Sequence, residues 1–258
     1  MKKIITLVIL LALSYILINL SWSQKKLSII NSVINNYPTP SPLPTPTVKT
    51  STVTWNGITY TYEYFEVKDL SRLTLIANFT QKKTSEFLVK ENNCQYAING
   101  GFYDTNSKPL GLFINHVLKT PAIESALVNG YVSITTKPMI SFNLPNKPII
   151  ALQTGPMLIV DGKKLTLAIK DDEHARRMIA GISLKGTLVF MTIYISTSLV
   201  QGPQLAELPD IIEQINMTVP NQFISAINLD GGNASMFKNS DIYVPEVSTV
   251  GSIFCLQE

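Results

Sequence analysis

A chain whose short apolar runs are broken by Asn-Gly, Asp-Gly and Lys-Gly pairs is constrained toward antiparallel hairpins. Here the pairs are Asn56-Gly57, Asn129-Gly130, Asp161-Gly162 and Lys185-Gly186. The first joins strands expected at 52–55 and 58–67, the second 126–128 and 131–135, the fourth 177–184 and 187–196. The third closes a strand at 157–160. Further strands are expected at 72–79, 94–98, 110–118, 139–143, 149–153, 223–229 and 251–256. Two stretches read as helices. Residues 85–92 are polar and suitably spaced. Beyond Pro203, Leu205, Leu208, Ile211, Ile212 and Ile215 share one helical face, and Pro209 marks where the regular helix starts. No repeat of solenoid type is present. The implied fold class is α+β: a single domain with a largely antiparallel β-sheet and a few helices.

Two of the strands end in the same way. Residues 94–98 run into Asn99-Gly100-Gly101-Phe102-Tyr103-Asp104, and 223–229 into Asp230-Gly231-Gly232-Asn233-Ala234-Ser235. Gly-Gly lets a backbone take positive φ and gather its N–H groups into a concavity. Each glycine pair has a carboxylate and an amide beside it. An ordinary turn accounts for either stretch alone; the repetition at two strand ends is what suggests a site.

The folded part does not include the N-terminus. Met1-Lys2-Lys3 precedes an uncharged, mostly apolar run of 19 residues from Ile4 to Trp22. That is the pattern of an export signal, and it is long enough to span a bilayer. Ser21-Trp22-Ser23 makes a weak cleavage site, so residues 1–24 read as a signal anchor or signal peptide. Residues 25–50 form a Pro-rich linker, with Pro38, Pro40, Pro42, Pro44 and Pro46 at alternate positions, as in an extended spacer. Residues 51–258 are the domain. The expected setting is a protein held to a membrane by its N-terminal anchor on the extracytoplasmic side, or secreted if the signal is removed.

The net charge of +3 belongs to the leader. Five of the 21 basic residues and none of the 18 acidic ones precede residue 51, which leaves 16 against 18, a net of −2. No nucleic-acid footprint follows from that balance. Two cysteines and two histidines give no zinc pattern. Cys94 and Cys255 have two readings, a disulfide between a middle strand and the last one, or two buried thiols.

The polar residues at strand ends are Asn99 and Asp104; Thr154, with Gly155 behind it; His174, Arg176 and Arg177; and Asn228, Asp230 and Ser235. Carboxylates serve as acid, base or nucleophile in glycosyl transfer. Arginines and glycine-loop N–H groups bind anionic oxygens. At these residues the chain resembles the phosphodiester glycosidase family, over roughly residues 60–256. The resemblance is carried by residues 96–104, by Gln153-Thr154-Gly155-Pro156-Met157-Leu158, by Arg177 with Ala180-Gly181, and by Asn228-Leu229-Asp230-Gly231-Gly232. It implies that Asn99, Gly100, Gly101 and Phe102 line the site. It also implies that Arg177 is the family's arginine and that Asp230, Gly231 and Gly232 form the active centre. Three departures from the family pattern are present: Met178 where Thr is frequent, His174 where a second basic residue is frequent, and Asn233-Ala234-Ser235 in place of Gly-Ser-Ser.

The implied reaction is hydrolysis of a sugar-1-phosphodiester, with an N-acetylglucosamine-type sugar, in an envelope glycan or glycoconjugate. A phosphate monoester is a good leaving group, with a second pKa of about 6. Anion stabilisation can therefore replace strong protonation. Asp230 is the expected catalytic carboxylate, with Asp104 as second candidate and Asn99 beside them. Thr154, Gly155, Arg177, Asn228 and Ser235 join the glycine loops as substrate contacts. Acidic residues near Asp230 leave room for a divalent cation, although no ligand spacing establishes one. The alternative reading is a non-catalytic module that binds phosphorylated glycans of the cell envelope.

Overall fold

A computed structural model describes residues 51–198, 200–218 and 222–257. The expected anchor and Pro-rich linker lie outside them. Among the described residues no helix is long and apolar enough to cross a membrane. The architecture is mainly β, with three sheets where one was expected, every pairing between named strands being antiparallel.

The largest sheet has seven strands. β1 (Ser51–Trp55) and β2 (Ile58–Val67) form the expected hairpin at Asn56-Gly57, in the register Trp55↔Ile58. β11 (Arg177–Ser183) and β12 (Leu188–Tyr194) form another around Lys185-Gly186. β13 (Phe223–Asn228) and β9 (Met157–Val160) continue the sheet, and β10 (Lys163–Lys164) turns back at Asp161-Gly162.

The five-stranded sheet has β4 (Cys94–Asn99) and β16 (Ser252–Gln257) at its centre. It is completed by β3 (Leu73–Ala77) and two short strands, β14 (Phe237–Lys238) and β15 (Tyr243–Val244), which sequence periodicity did not single out. The four-stranded sheet joins β5 (Phe113–Ile114), β8 (Ile150–Thr154), β6 (Gly130–Ile134) and β7 (Pro138–Ser141).

One apolar core unites the three sheets, with Phe65, Phe190, Ile98, Phe254, Phe113 and Leu152 among its buried members. Non-directional burial of such side chains is what holds the layers together. The outer face of the largest sheet is covered by α2 (Leu208–Thr218), whose Leu208, Ile211, Ile212 and Ile215 pack on Leu158, Ile179 and Val189. Pro209 lies in its first turn, where its missing N–H costs no hydrogen bond. The preceding Leu205–Glu207 is a 3-10 turn. α1 (Ser85–Glu91), capped by the Thr84 hydroxyl, lays Leu88 on the outer face of the five-stranded sheet. Cys94 and Cys255 are disulfide-bonded, which joins β4 to β16.

Two expected elements are absent. Residues 110–118 form a strand only at Phe113–Ile114: Gly111 is left-handed (φ 92°), and the Asn115 side chain accepts from Val117 N–H and Leu118 N–H to close a turn. Asn129-Gly130 makes no hairpin either. Asn129 Oδ1 accepts from Met157 N–H at 2.9 Å, and β6 pairs with β7 and β8 instead. The long-range bond wins over the local turn preference.

Candidate active site

Three strand ends meet at one place, one from each sheet: Asn99 from β4, Asn228 from β13 and Thr154 from β8. Hydrogen bonds join them. Asp230 N–H donates to the Gly100 carbonyl at 3.1 Å. Asn99 Nδ2 donates to the carbonyls of Asp230 (2.8 Å) and Gly100 (3.1 Å), while its Oδ1 accepts from Met236 N–H at 2.9 Å. Thr154 Oγ1 donates to the Asn228 carbonyl at 2.9 Å, and Asn228 Nδ2 to the Gly155 carbonyl at 3.0 Å. Asn99, Thr154 and Asn228 thus act as braces, committed to backbone carbonyls. Asn228 Oδ1 is buried without a partner.

The glycines serve close approach more than unusual dihedrals. A Cβ on Gly100 would lie 2.2 Å from Ser252 Oγ, one on Gly101 3.2 Å from the Gln153 carbonyl, and one on Gly231 2.7 Å from the Arg176 carbonyl. Gly155 faces the Leu127 carbonyl in the same way, at 2.1 Å. Of the two Gly-Gly pairs only Gly232 (φ 63°) is left-handed, so the expected positive φ at Gly100, Gly101 and Gly231 is corrected: crowding, not chirality, selects glycine there.

Asp230 is half-buried in this junction. Burial pushes its carboxyl up to about 7, against the opposing pull of a hydrogen bond from Gly231 N–H. Its charge reaches Tyr103, whose phenol is raised by burial first and by Asp230 second. The Tyr103 hydroxyl donates to the Thr249 carbonyl, and Val247 N–H and Ser248 N–H donate to the Asn233 carbonyl, both at 2.9 Å. The segment 247–249 is thereby tied to the loop that carries Asp230.

Asp104, the second candidate carboxylate, is spent on its own turn. Its Oδ1 accepts from Lys108 N–H at 2.8 Å and Asn106 N–H at 2.9 Å, and these bonds, the Lys108 bond foremost, hold it below the usual carboxylate range. Phe102 is half-buried and its carbonyl accepts from Leu110 N–H.

The two arginines divide the labour. Arg177 passes its stem beneath Gly231, with Cδ 3.8 Å from where a Cβ would stand. Its guanidinium donates to the carbonyls of Pro203 (2.9 Å) and Glu173 and pairs with Asp172 at 3.3 Å. The expected phosphate clamp is therefore already engaged by protein oxygens. Burial lowers its pKa, and the charges of Asp172, Glu173 and Glu207 oppose that.

Arg176 is among the strand-end polar residues, but the sequence assigns it no role of its own. It is fully buried, donates from Nε to Ser235 Oγ at 2.8 Å and from Nη2 to the carbonyls of Ser235 and Pro245, and its own carbonyl accepts from Gly232 N–H. Burial brings its pKa down to about 10. Ser235 Oγ donates in turn to the Gly232 carbonyl at 2.6 Å. Ser235 thus anchors the loop instead of facing outward, and Arg176 positions the segment that follows Asp230. The signal was available: adjacent residues entering a strand face opposite ways, so one of Arg176-Arg177 must turn inward.

Cavities of 530 and 680 Å³ open on the surface, and Asp230 lines neither. Among the described residues no group of three or more His, Cys, Asp or Glu could hold a metal ion. The chemistry available at the junction is that of one carboxyl titrating near neutrality, beside backbone N–H groups. Among the described residues the N–H groups of Gly101 and Phe102 donate no hydrogen bond, whereas those of Gly100 and Gly232 donate to the Ser252 and Arg176 carbonyls.

The phosphodiester glycosidase family profile matches residues 92–253. The fold is similar to the catalytic domain of zebrafish N-acetylglucosamine-1-phosphodiester alpha-N-acetylglucosaminidase, auto-inhibited by its pro-peptide. That likeness has a TM-score of 0.64 at 16% identity and covers 81% of this chain and 81% of that one. It is also similar to a hypothetical protein from Synechocystis, with a TM-score of 0.55 at 12% identity over 80% of this chain and 61% of that one. No curated protein sequence matches the chain.

Proposed function

The chain belongs to the phosphodiester glycosidase family, and from that premise we propose that it hydrolyses the C1–O bond of a sugar-1-phosphodiester. The sugar is of N-acetylglucosamine type, and the substrate is a glycan or glycoconjugate of the cell envelope. The observation that carries this reading is Asp230. Its carboxyl stands where the two Gly-Gly loops join, and burial sets its pKa to about 7. A group titrating there has a usable population of the carboxylate at neutral pH and still accepts a proton readily.

In this reading Asp230 acts as carboxylate toward the water or the anomeric carbon. The departing phosphate needs little protonation, because its second pKa is about 6. The Gly101 and Phe102 N–H groups are the donors we assign to the developing anion. Arg177, held by Asp172 and two carbonyls, contributes positive potential under Gly231 and no direct contact. Asn99, Thr154, Asn228, Arg176 and Ser235 fix the three loops relative to one another.

Export to an oxidising compartment, with retention by residues 1–24, accompanies the proposal. It is supported by the Cys94–Cys255 disulfide and by the apolar run 4–22. A second reading, a glycan-binding module without turnover, is favoured by one observation: the Arg177 guanidinium is already occupied.

The test offers the purified chain an N-acetylglucosamine-1-phosphodiester and an aryl N-acetylglucosaminide side by side. Free sugar released from the phosphodiester and not from the aryl glycoside is the expected result. Saturable binding of the phosphodiester with no release would replace hydrolysis by the binding reading.

A further inference from the structure

The loop from Gly100 to Ile123 leads away from Asp230 along two adjoining cavities. The nearer, of 240 Å³, is lined by Tyr103, Ser248, Thr249 and Lys82. It neighbours the loop that carries Asp230 through Tyr103, whose phenol feels the Asp230 charge, and through Ser248, whose N–H donates to the Asn233 carbonyl. The farther, of 680 Å³, shares the wall residues Phe79 and Ser107 with the nearer, so the two adjoin. Its walls are mostly apolar: Phe79, Pro109, Val117, Leu118, Pro121 and Ile123. Lys108 also lines it, and the one carboxylate on it, Asp104, is held by its own turn.

Apolar side chains stand open along this trough. Val117 is 94% exposed and Ile123 39%. One exposed apolar residue needs no explanation, but a cavity walled by such residues and adjoining the one that Tyr103 and Ser248 line does. A sugar ring carries hydroxyls on all sides and would meet Thr80, Gln81, Ser107 and the already engaged Thr120 hydroxyl as its uncharged polar partners there, the larger part of the wall being apolar. An alkyl or isoprenoid chain finds a place to leave water. Lys82 and Lys108 supply positive potential along the way, suited to the phosphate that links such a chain to the sugar.

We propose that this trough is the site for the leaving group, and that the leaving group is a phosphate bearing an apolar chain, so that the substrate is a sugar joined through phosphate to a lipid-like alcohol. The inference rests on the hydrolytic reading of the Asp230 centre, but its binding part can be measured separately.

The experiment has two arms, each with the full-length chain and with the variant Val117→Asp/Ile123→Asp, whose positions lie outside the reaction centre. In the first, calorimetry compares octyl phosphate, below its micellar concentration, with methyl phosphate. The octyl ester is expected to bind roughly tenfold more tightly or better, because each buried methylene adds affinity, and the variant is expected to lose that preference. In the second, the octyl and methyl diesters of N-acetylglucosamine-1-phosphate are compared as substrates. The octyl diester should have the higher kcat/KM, and the variant should lower that value while leaving the methyl diester unchanged.

Equal binding of the two phosphates, or a preference that survives in the variant, would overturn the inference even if both diesters are cleaved. So would attachment to anionic vesicles without preference for octyl over methyl phosphate, which would make the trough a membrane contact. Selective octyl phosphate binding with neither diester cleaved would leave the apolar-chain site standing and remove the hydrolytic reading.

Discussion

The stretches Asn99-Gly100-Gly101 and Asp230-Gly231-Gly232 look like copies of one device, yet the protein uses them differently. Both glycine pairs are crowded, Gly100 against Ser252 and Gly231 against the Arg176 carbonyl, but only Gly232 also needs a left-handed backbone. The carboxylates that accompany them diverge further. Asp104 accepts two backbone N–H bonds on an open turn and is held low; Asp230 is half-buried at the junction and desolvation pushes it up to about 7. The arms that carry the loops also differ. The Asn99 arm is stapled by Cys94–Cys255, whereas the Asp230 arm is held by hydrogen bonds from Arg176 and Asn99. The same local sequence becomes a site or a turn according to what surrounds its carboxylate.

The sharpest way to break this contrast is to neutralise each carboxylate. Asp230→Asn should reduce kcat/KM roughly 10²–10⁴-fold, the usual range for losing a positioned acid–base group, with near-wild-type circular dichroism. Full activity in that variant would remove Asp230 from the chemistry.

The arms come next. Cys94→Ala/Cys255→Ala should lower unfolding free energy by about 2–5 kcal/mol in urea titrations, since the bridge spans a sequence separation of 161 residues. A negligible change would show that sheet pairing alone secures the Asn99 arm.

Crowding at Gly100 is expected to cost less. Gly100→Ala should destabilise by about 1–3 kcal/mol as overpacking against Ser252 Oγ, and adding Ser252→Ala should recover most of it by removing the atom 2.2 Å away. Failure of the second substitution to rescue would point to the backbone rather than the hydroxyl.

The pH dependence follows from Asp230. Its carboxyl titrates at about 7 in the fold, against 3.8 ordinarily. Between those values the folded state keeps a proton that the unfolded state has lost. Stability therefore falls as pH rises through this window, with a slope of up to about 1.4 kcal/mol per pH unit. Asp230→Asn should abolish that component in denaturation series run at successive pH values. In kinetics, the proposed mechanism, in which the carboxylate form acts, has kcat/KM rise with pH through an inflection near 7. Asp104 has the opposite sign, stabilising at high pH and losing that contribution as pH falls. Asp104→Asn should give the smallest change of all, turnover within about twofold, as expected of an exposed turn.

Much of the fold was legible because it is local. The Asn56-Gly57 and Lys185-Gly186 hairpins, the face of α2 and the strands that deliver Asn99 and Asp230 follow from turn chemistry and period. Expectation failed where a side chain found a distant partner, as Asn129 did at Met157 and Asn115 did at the Leu75 carbonyl. β14 and β15 are two residues each, too short for any period to register.

By itself the sequence determined an antiparallel, turn-punctuated chain, the two glycine loops and the residue types gathered at their ends. Tertiary structure decided the rest. It settled the cysteines as a bridge, turned Arg176 inward under Ser235, engaged Arg177 with Asp172, and separated Asp230 from Asp104. Those outcomes depend on burial and, apart from the Arg177–Asp172 pair, on partners tens of residues away, and desolvation is a property of the packed neighbourhood that no stretch of sequence carries alone.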